Sequence, residues 1–203
     1  MRLIDADVLL IDGRSGSGKT RLAERVASAC AAAGRPAQVL HVEALYPGWD
    51  GLAEGSEALA GALRSGAYRV YDWIAGEFGA RERIAPRAPL VIEGCGAITA
   101  ANLAAARHWA AGADVAGRGS ADPLVRSVWL EVDAEVRKRR ALARDGDVYA
   151  PHWDRWAAQE EALYARHRPW ELADRTIAPA LGPGPGPGPG PGPGLGPAPR
   201  ERR

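Results

Sequence analysis

The sequence predicts an α/β fold: a parallel five-stranded sheet with helices on both faces. Three observations lead there. Strand-like apolar runs alternate with helical patterns along most of the 203 residues. Several of those runs are apolar throughout, as in strands buried on both faces. The residues able to do chemistry follow strands, and open parallel sheets bind ligands at the carboxyl ends of their strands.

In chain order, 7–11 (DVLLI) reads as the first strand and ends in a glycine-rich turn. Residues 19–33 form a helix with Leu22, Val26 and Ala29 on one face, stopped by Gly34 and Pro36. A second strand covers 38–42, the turn-rich LYPGWDG follows, and a weaker helix spans 53–64. RVYDWIAGEF and RERIAP read as short extended pieces or a hairpin. Residues 89–93 (PLVIE) are a buried strand ending in GCG, followed by a helix at 99–111 and a polar loop to Val125. A fourth strand at 127–132 leads to Asp133, the N-cap of an arginine-rich helix at 134–144. A helix at 154–166 and a short fifth strand at 173–178 complete a domain of residues 1–180.

Residues 181–203 are expected to be a disordered tail. From Gly182 to Gly194 glycine and proline alternate strictly, which supplies neither ladder donors nor a core. A proline-binding partner is the other reading of this segment.

Composition narrows the function classes. The formal charge is +1. Arg200, Arg202 and Arg203 against Glu201 put +2 on the tail and leave about −1 on residues 1–180, so no basic domain awaits nucleic acid. No apolar run reaches about 18 residues, and the opening MRLIDADVLL is too acidic and short for a signal peptide. Cys30 and Cys95 have no metal or redox spacing, which fits a reducing cytoplasm. His41, His108, His152 and His167 also lack metal spacing and read as surface or internally satisfied histidines.

The strongest signal is GRSGSGKT: Gly13, Arg14, Ser15, Gly16, Ser17, Gly18, Lys19 and Thr20 match GxxxxGK[ST] between a strand and a helix. Such a loop turns backbone N–H groups toward phosphate oxygens, and a helix N-terminus adds positive potential. Lys19 is placed for the β/γ-phosphates and Thr20 for Mg²⁺, which makes ATP the expected ligand of a P-loop fold. Only Lys19 and Lys138 among the 26 basic residues are lysines, and neither sits in an NKxD guanine contact.

Five segments, GRSGSGKT, HVEALYPGW, VYDW, VIEG and RKRRALARD, spread over residues 8–145, are similar in order and spacing to the uridine kinase branch of P-loop kinases. The resemblance implies ATP-dependent phosphoryl transfer to a hydroxyl of a nucleoside or related polyol. It also implies Mg²⁺ near Thr20, Glu43 and Glu93, with Glu43 assisting the acceptor hydroxyl. Arg137, Arg140 and Arg144, spaced along one helical face, correspond to a short arginine lid: Arg137 on the nucleotide, Arg140 and Arg144 catalytic. The family has Asp where this chain has Glu43. It carries a histidine beyond its Tyr-Asp pair where this chain reads IAGEFGAR, so the acceptor is left unassigned.

Tyr46, Trp49, Tyr71, Asp72 and Trp73 are the acceptor-side candidates, aromatic walls with one carboxylate. With seven tryptophans and one phenylalanine, Trp49 and Trp73 also suit a core-filling role. Glu43 as a solvated loop acid and Glu93 as a structural acid holding GCG remain open. Two other function classes remain as well: a non-kinase ATP-binding switch or assembly protein, and a nucleic-acid end kinase.

Overall fold

The computed structural model describes residues 2–86, 88–113 and 123–178. The tail expected at 181–203 and most of the loop before Val125 lie outside the described residues. The sheet contains β1 (Val8–Gly13), β2 (Gln38–His41), β5 (Leu90–Glu93), β6 (Val125–Leu130) and β7 (Arg175–Ile177). Its order is β2-β5-β1-β6-β7, with every pairing parallel. The helices are α1 (Lys19–Ala32), α2 (Leu52–Ser65), α3 (Ala100–Gly112), α4 (Ala134–Tyr149), α5 (Trp153–His167) and the short α6 (Pro169–Leu172). Among the described residues no helix is long and apolar enough to cross a membrane.

Alternation along β1 divides the core. Leu9 and Ile11 pack with Ala23, Val26 and Cys30 of α1 on one face. Val8 and Leu10 pack on the other with Leu59 and Leu63 of α2, Leu103 of α3 and Tyr164 of α5. Full burial of each such aliphatic side chain stabilises the fold by about 1.5–3 kcal/mol. Register matters more for the site. Ile11 pairs with Glu93, and Glu93 pairs with His41, so β2 and β5 end level beside Ile11 while β1 runs on to Gly13.

Of the two forms expected for RVYDWIAGEF and RERIAP, short extended pieces or a hairpin, the chain adopts the hairpin. β3 (Ala67–Asp72) and β4 (Glu77–Arg83) pair antiparallel, with an irregularity between Arg69 and Tyr71. Asp133 caps α4 as expected, its Oδ1 accepting from the N–H groups of Glu135 and Val136. Helix α4 runs on past the expected stop at Arg144, bending at Gly146 (φ 52°, ψ −134°) and ending at Tyr149. Glycine accepts that backbone where other residues would end the helix.

Candidate active site

The glycine-rich loop connects the carboxyl end of β1 to α1. Gly16 has φ +79°, and a Cβ there would lie 2.2 Å from the Arg137 carbonyl oxygen, so only glycine lets α4 back the loop this closely. Gly18, with φ 93°, starts α1 without a side-chain cap. The first-turn N–H groups therefore lack intrahelical acceptors, as an anion-binding helix start requires. Ser17 Oγ is buried with no hydrogen-bond partner among the described residues. Loop, open helix start and orphaned hydroxyl together fit a phosphate group.

Lys19 is buried, with Nζ 3.3 Å from both the Arg14 carbonyl oxygen and Cys95 Sγ. Burial opposes its charge, but Cys95, Glu93, Glu160 and Asp12 outweigh that and raise its pKa. Burial pushes the Cys95 thiol up to about 12 despite Lys19, so Cys95 is a poor nucleophile here.

Beside the loop, Thr20 Oγ1 donates to Glu93 Oε1 at 3.2 Å, and His41 Nδ1 lies 2.6 Å from the same oxygen. Glu93 is buried. Its bond to His41 raises the histidine pKa against the opposing effect of burial. Glu43 sits on the helical turn Val42–Leu45 after β2. Much of the residue is exposed, yet the protein around its carboxyl group, followed by the Glu93 charge, raises its pKa. Among the described residues no group of three or more His, Cys, Asp or Glu is arranged to hold a metal alone. One hydroxyl and one carboxylate fit Mg²⁺, which takes few protein oxygens and fills its shell with water and phosphate.

The three arginines of α4 do not act as one set. Arg137, expected on the nucleotide, is buried; its Nε donates to Val132 O and its Nη1 to Ser15 O. Those donors hold the loop from behind. Arg140 is partly exposed and has no ion-pair partner among the described residues. Arg144 makes two bonds to Asp145, at 2.8 and 2.7 Å, and these raise its pKa, with Glu43 adding a smaller charge effect.

The acceptor-side candidates also divide. Tyr46 is buried, and its hydroxyl donates to Cys95 O at 2.7 Å, bracing the turn after β5. Asp72 is exposed; its Oδ1 accepts from Ile74 N and Ala75 N in the hairpin turn, and these bonds lower its pKa. Trp49, Trp73 and Tyr71 are partly buried and form a chain, with ring centroids 5.1 Å apart for Trp49–Trp73 and 5.5 Å for Tyr71–Trp73. Trp49 also stacks on His152 at 4.2 Å and on Tyr149 at 5.5 Å.

Sequence reasoning missed Asp12 and Glu160. Asp12 is fully buried; its Oδ1 accepts from Gly13 N, Gly96 N and Tyr164 Oη, and its Oδ2 from Ile98 N. Burial nonetheless raises its pKa to about 6. Glu160 Oε1 accepts from Ser15 N at 2.7 Å and from Trp156 Nε1 at 3.2 Å. The signal for each was an acid in an apolar setting: Asp12 closes a hydrophobic strand, and Glu160 lies at helical spacing between Trp156 and Tyr164. His41, expected at the surface or internally satisfied, bonds Glu93 itself.

Strand order, loop and helix start define an α/β protein with a P-loop at the end of its central strand. No family model matches the chain, and no curated protein does. Solved structures with a similar course include a gluconokinase from Sinorhizobium meliloti 1021, at 20% identity and TM-score 0.49, covering 87% of this chain and 83% of that one. Another is described as a possible uridine kinase from Bacillus stearothermophilus (18% identity, TM-score 0.48, 84% and 87% covered). A third is the Mycobacterium tuberculosis APS kinase in complex with AMPPNP and APS (18%, 0.46, 87% and 90%). All three are kinases by name.

Proposed function

We propose that this protein is an ATP-dependent kinase that transfers the γ-phosphoryl group of Mg-ATP to a hydroxyl of a small molecule. The observation that carries the reading is that Lys19, which feels the Glu93 charge, directly precedes Thr20, whose hydroxyl bonds Glu93 at the end of β5. Lys19 and the loop amides hold the nucleotide phosphates. Thr20 and Glu93 hold Mg²⁺, which when bound offsets phosphate charge. Glu43, its pKa raised by the protein around its carboxyl group, accepts the hydroxyl proton as the acceptor oxygen bonds to phosphorus and ADP leaves. Arg140 has no competing ion pair among the described residues and faces less cost than Arg144 in joining the γ-phosphate.

The acceptor is a neutral polyol or nucleoside seated beside Trp49, Tyr71 and Trp73. On this side Arg144 is paired with Asp145 and Arg155 with Asp50. An anionic acceptor would therefore find few free cations there. The test is ADP formation by purified protein with Mg-ATP against nucleosides, sugars and pantothenate-like alcohols. Stimulation by one neutral class supports the proposal. Slow hydrolysis indifferent to every acceptor would favour an ATP-binding switch instead.

A further inference from the structure

Ser15 is gripped on both sides, through the peptide unit before it and the one after it. Its N–H donates to Glu160 Oε1 on α5 at 2.7 Å, and its carbonyl accepts from Arg137 Nη1 on α4 at 3.2 Å. The two charged groups lie 3.9 Å apart and are both buried, Glu160 at 1% and Arg137 at 8% exposure. The same Glu160 oxygen also accepts from Trp156 Nε1 and, at 3.3 Å, from Cys95 Sγ. One carboxylate thus joins the glycine-rich loop, the turn after β5 and α5. Arg137 is fixed in turn by its Nε bond to Val132 O, and its own carbonyl backs Gly16.

A carboxylate on a helix face has an inexpensive alternative in water, and burying it is costly unless donors surround it. Here the donors come from the segments that a phosphate loop must hold still. We infer that Glu160 and Arg137 form a two-ended clamp, positioning residues that fix the two peptide planes flanking Ser15 and thereby the direction of the loop amides. A loop held this way loses little conformational freedom when it takes a phosphate, so the clamp raises affinity without touching the ligand. This inference rests on reading the loop as a nucleotide site.

Two substitutions separate hydrogen-bond reach from charge. Glu160→Gln keeps the carbonyl oxygen that Ser15 N and Trp156 Nε1 need. Glu160→Asp keeps the charge but withdraws it by one methylene. The readout is the Kd for ATP by calorimetry, beside the thermal midpoint of the nucleotide-free protein. The clamp predicts that Gln binds within about threefold of wild type and that Asp binds about tenfold or more weakly, the effect of one lost charge-assisted bond. Equal affinities in all three proteins, equal losses in both variants, or the reverse order would overturn it. If the Asp variant folds poorly, hydrogen exchange across residues 13–18 in wild type and Arg137→Lys, which cannot reach Val132 O and Ser15 O together, decides: protection lost in Lys supports the clamp, and equal protection overturns it. Wild type that fails to bind ATP at all would instead defeat the nucleotide reading.

Discussion

The glycine-rich loop is surrounded by buried groups, whereas the side carrying Glu43, Trp49 and the hairpin is partly exposed and pairs many of its polar groups with one another. Asp12 gathers three backbone amides and a tyrosine hydroxyl behind the loop. Across the site, Asp72 caps its own turn, Arg144 binds its neighbour Asp145, and Trp49 stacks on His152. The difference teaches where precision is built in. Phosphate recognition depends on backbone direction, which needs many buried constraints. Acceptor recognition depends on side chains that can trade internal partners for a ligand.

The largest effect should come from the centre of the constrained half. Lys19→Ala should lower kcat by about 10³-fold or more and weaken nucleotide binding while the far-ultraviolet circular dichroism is unchanged. An unfolded variant, or one with unaltered turnover, breaks the comparison. On the open half, Glu43→Gln should keep Mg-ATP affinity within a few-fold and lower kcat by about 10²–10⁴. Glu93→Gln, which keeps an oxygen for Thr20 but removes the carboxylate charge, should instead raise the Mg²⁺ concentration needed for half-maximal rate. Magnesium titrations showing the two phenotypes exchanged would reverse the assigned roles.

Smaller effects probe the scaffold. Gly16→Ala forces a Cβ onto the Arg137 carbonyl at a positive φ and should destabilise the protein by about 3 kcal/mol in urea unfolding. Asp12 makes a prediction of defined sign. Its folded pKa, about 6, is above its ordinary value of 3.8, so the folded protein binds this proton more tightly. The stabilisation is fully present below the unfolded pKa and is lost as pH rises through 6. Relative to Asp12→Asn, wild type should lose about 2 kcal/mol of unfolding free energy between pH 4 and pH 7. A pH-independent difference would show that burial does not perturb this carboxyl.

Much of the fold was legible because its strands are apolar and its helices carry spaced hydrophobic faces. The loop was legible because glycine, lysine and threonine must stand in fixed order for phosphate. Less legible were residues whose role depends on contacts distant in sequence. Arg137 shares a helical face with Arg140 and Arg144, but only the approach of α4 to Gly16 shows that its guanidinium faces the loop backbone. Glu160 lies 145 residues from Ser15, and no local pattern joins them. Asp72 resembled a substrate ligand because Tyr-Asp-Trp is a polar-aromatic cluster, yet the four-residue turn after it supplies the amides it caps.

The central claim, that the constrained loop delivers a phosphoryl group to an acceptor on the open side, is tested most directly by following the γ-phosphoryl group. Protein given Mg-ATP labelled at the γ-phosphorus and a neutral polyol or nucleoside should move the label onto that acceptor, and Lys19→Ala should not. Label that stays on ATP, or appears only as inorganic phosphate at a rate no acceptor changes, would contradict the account.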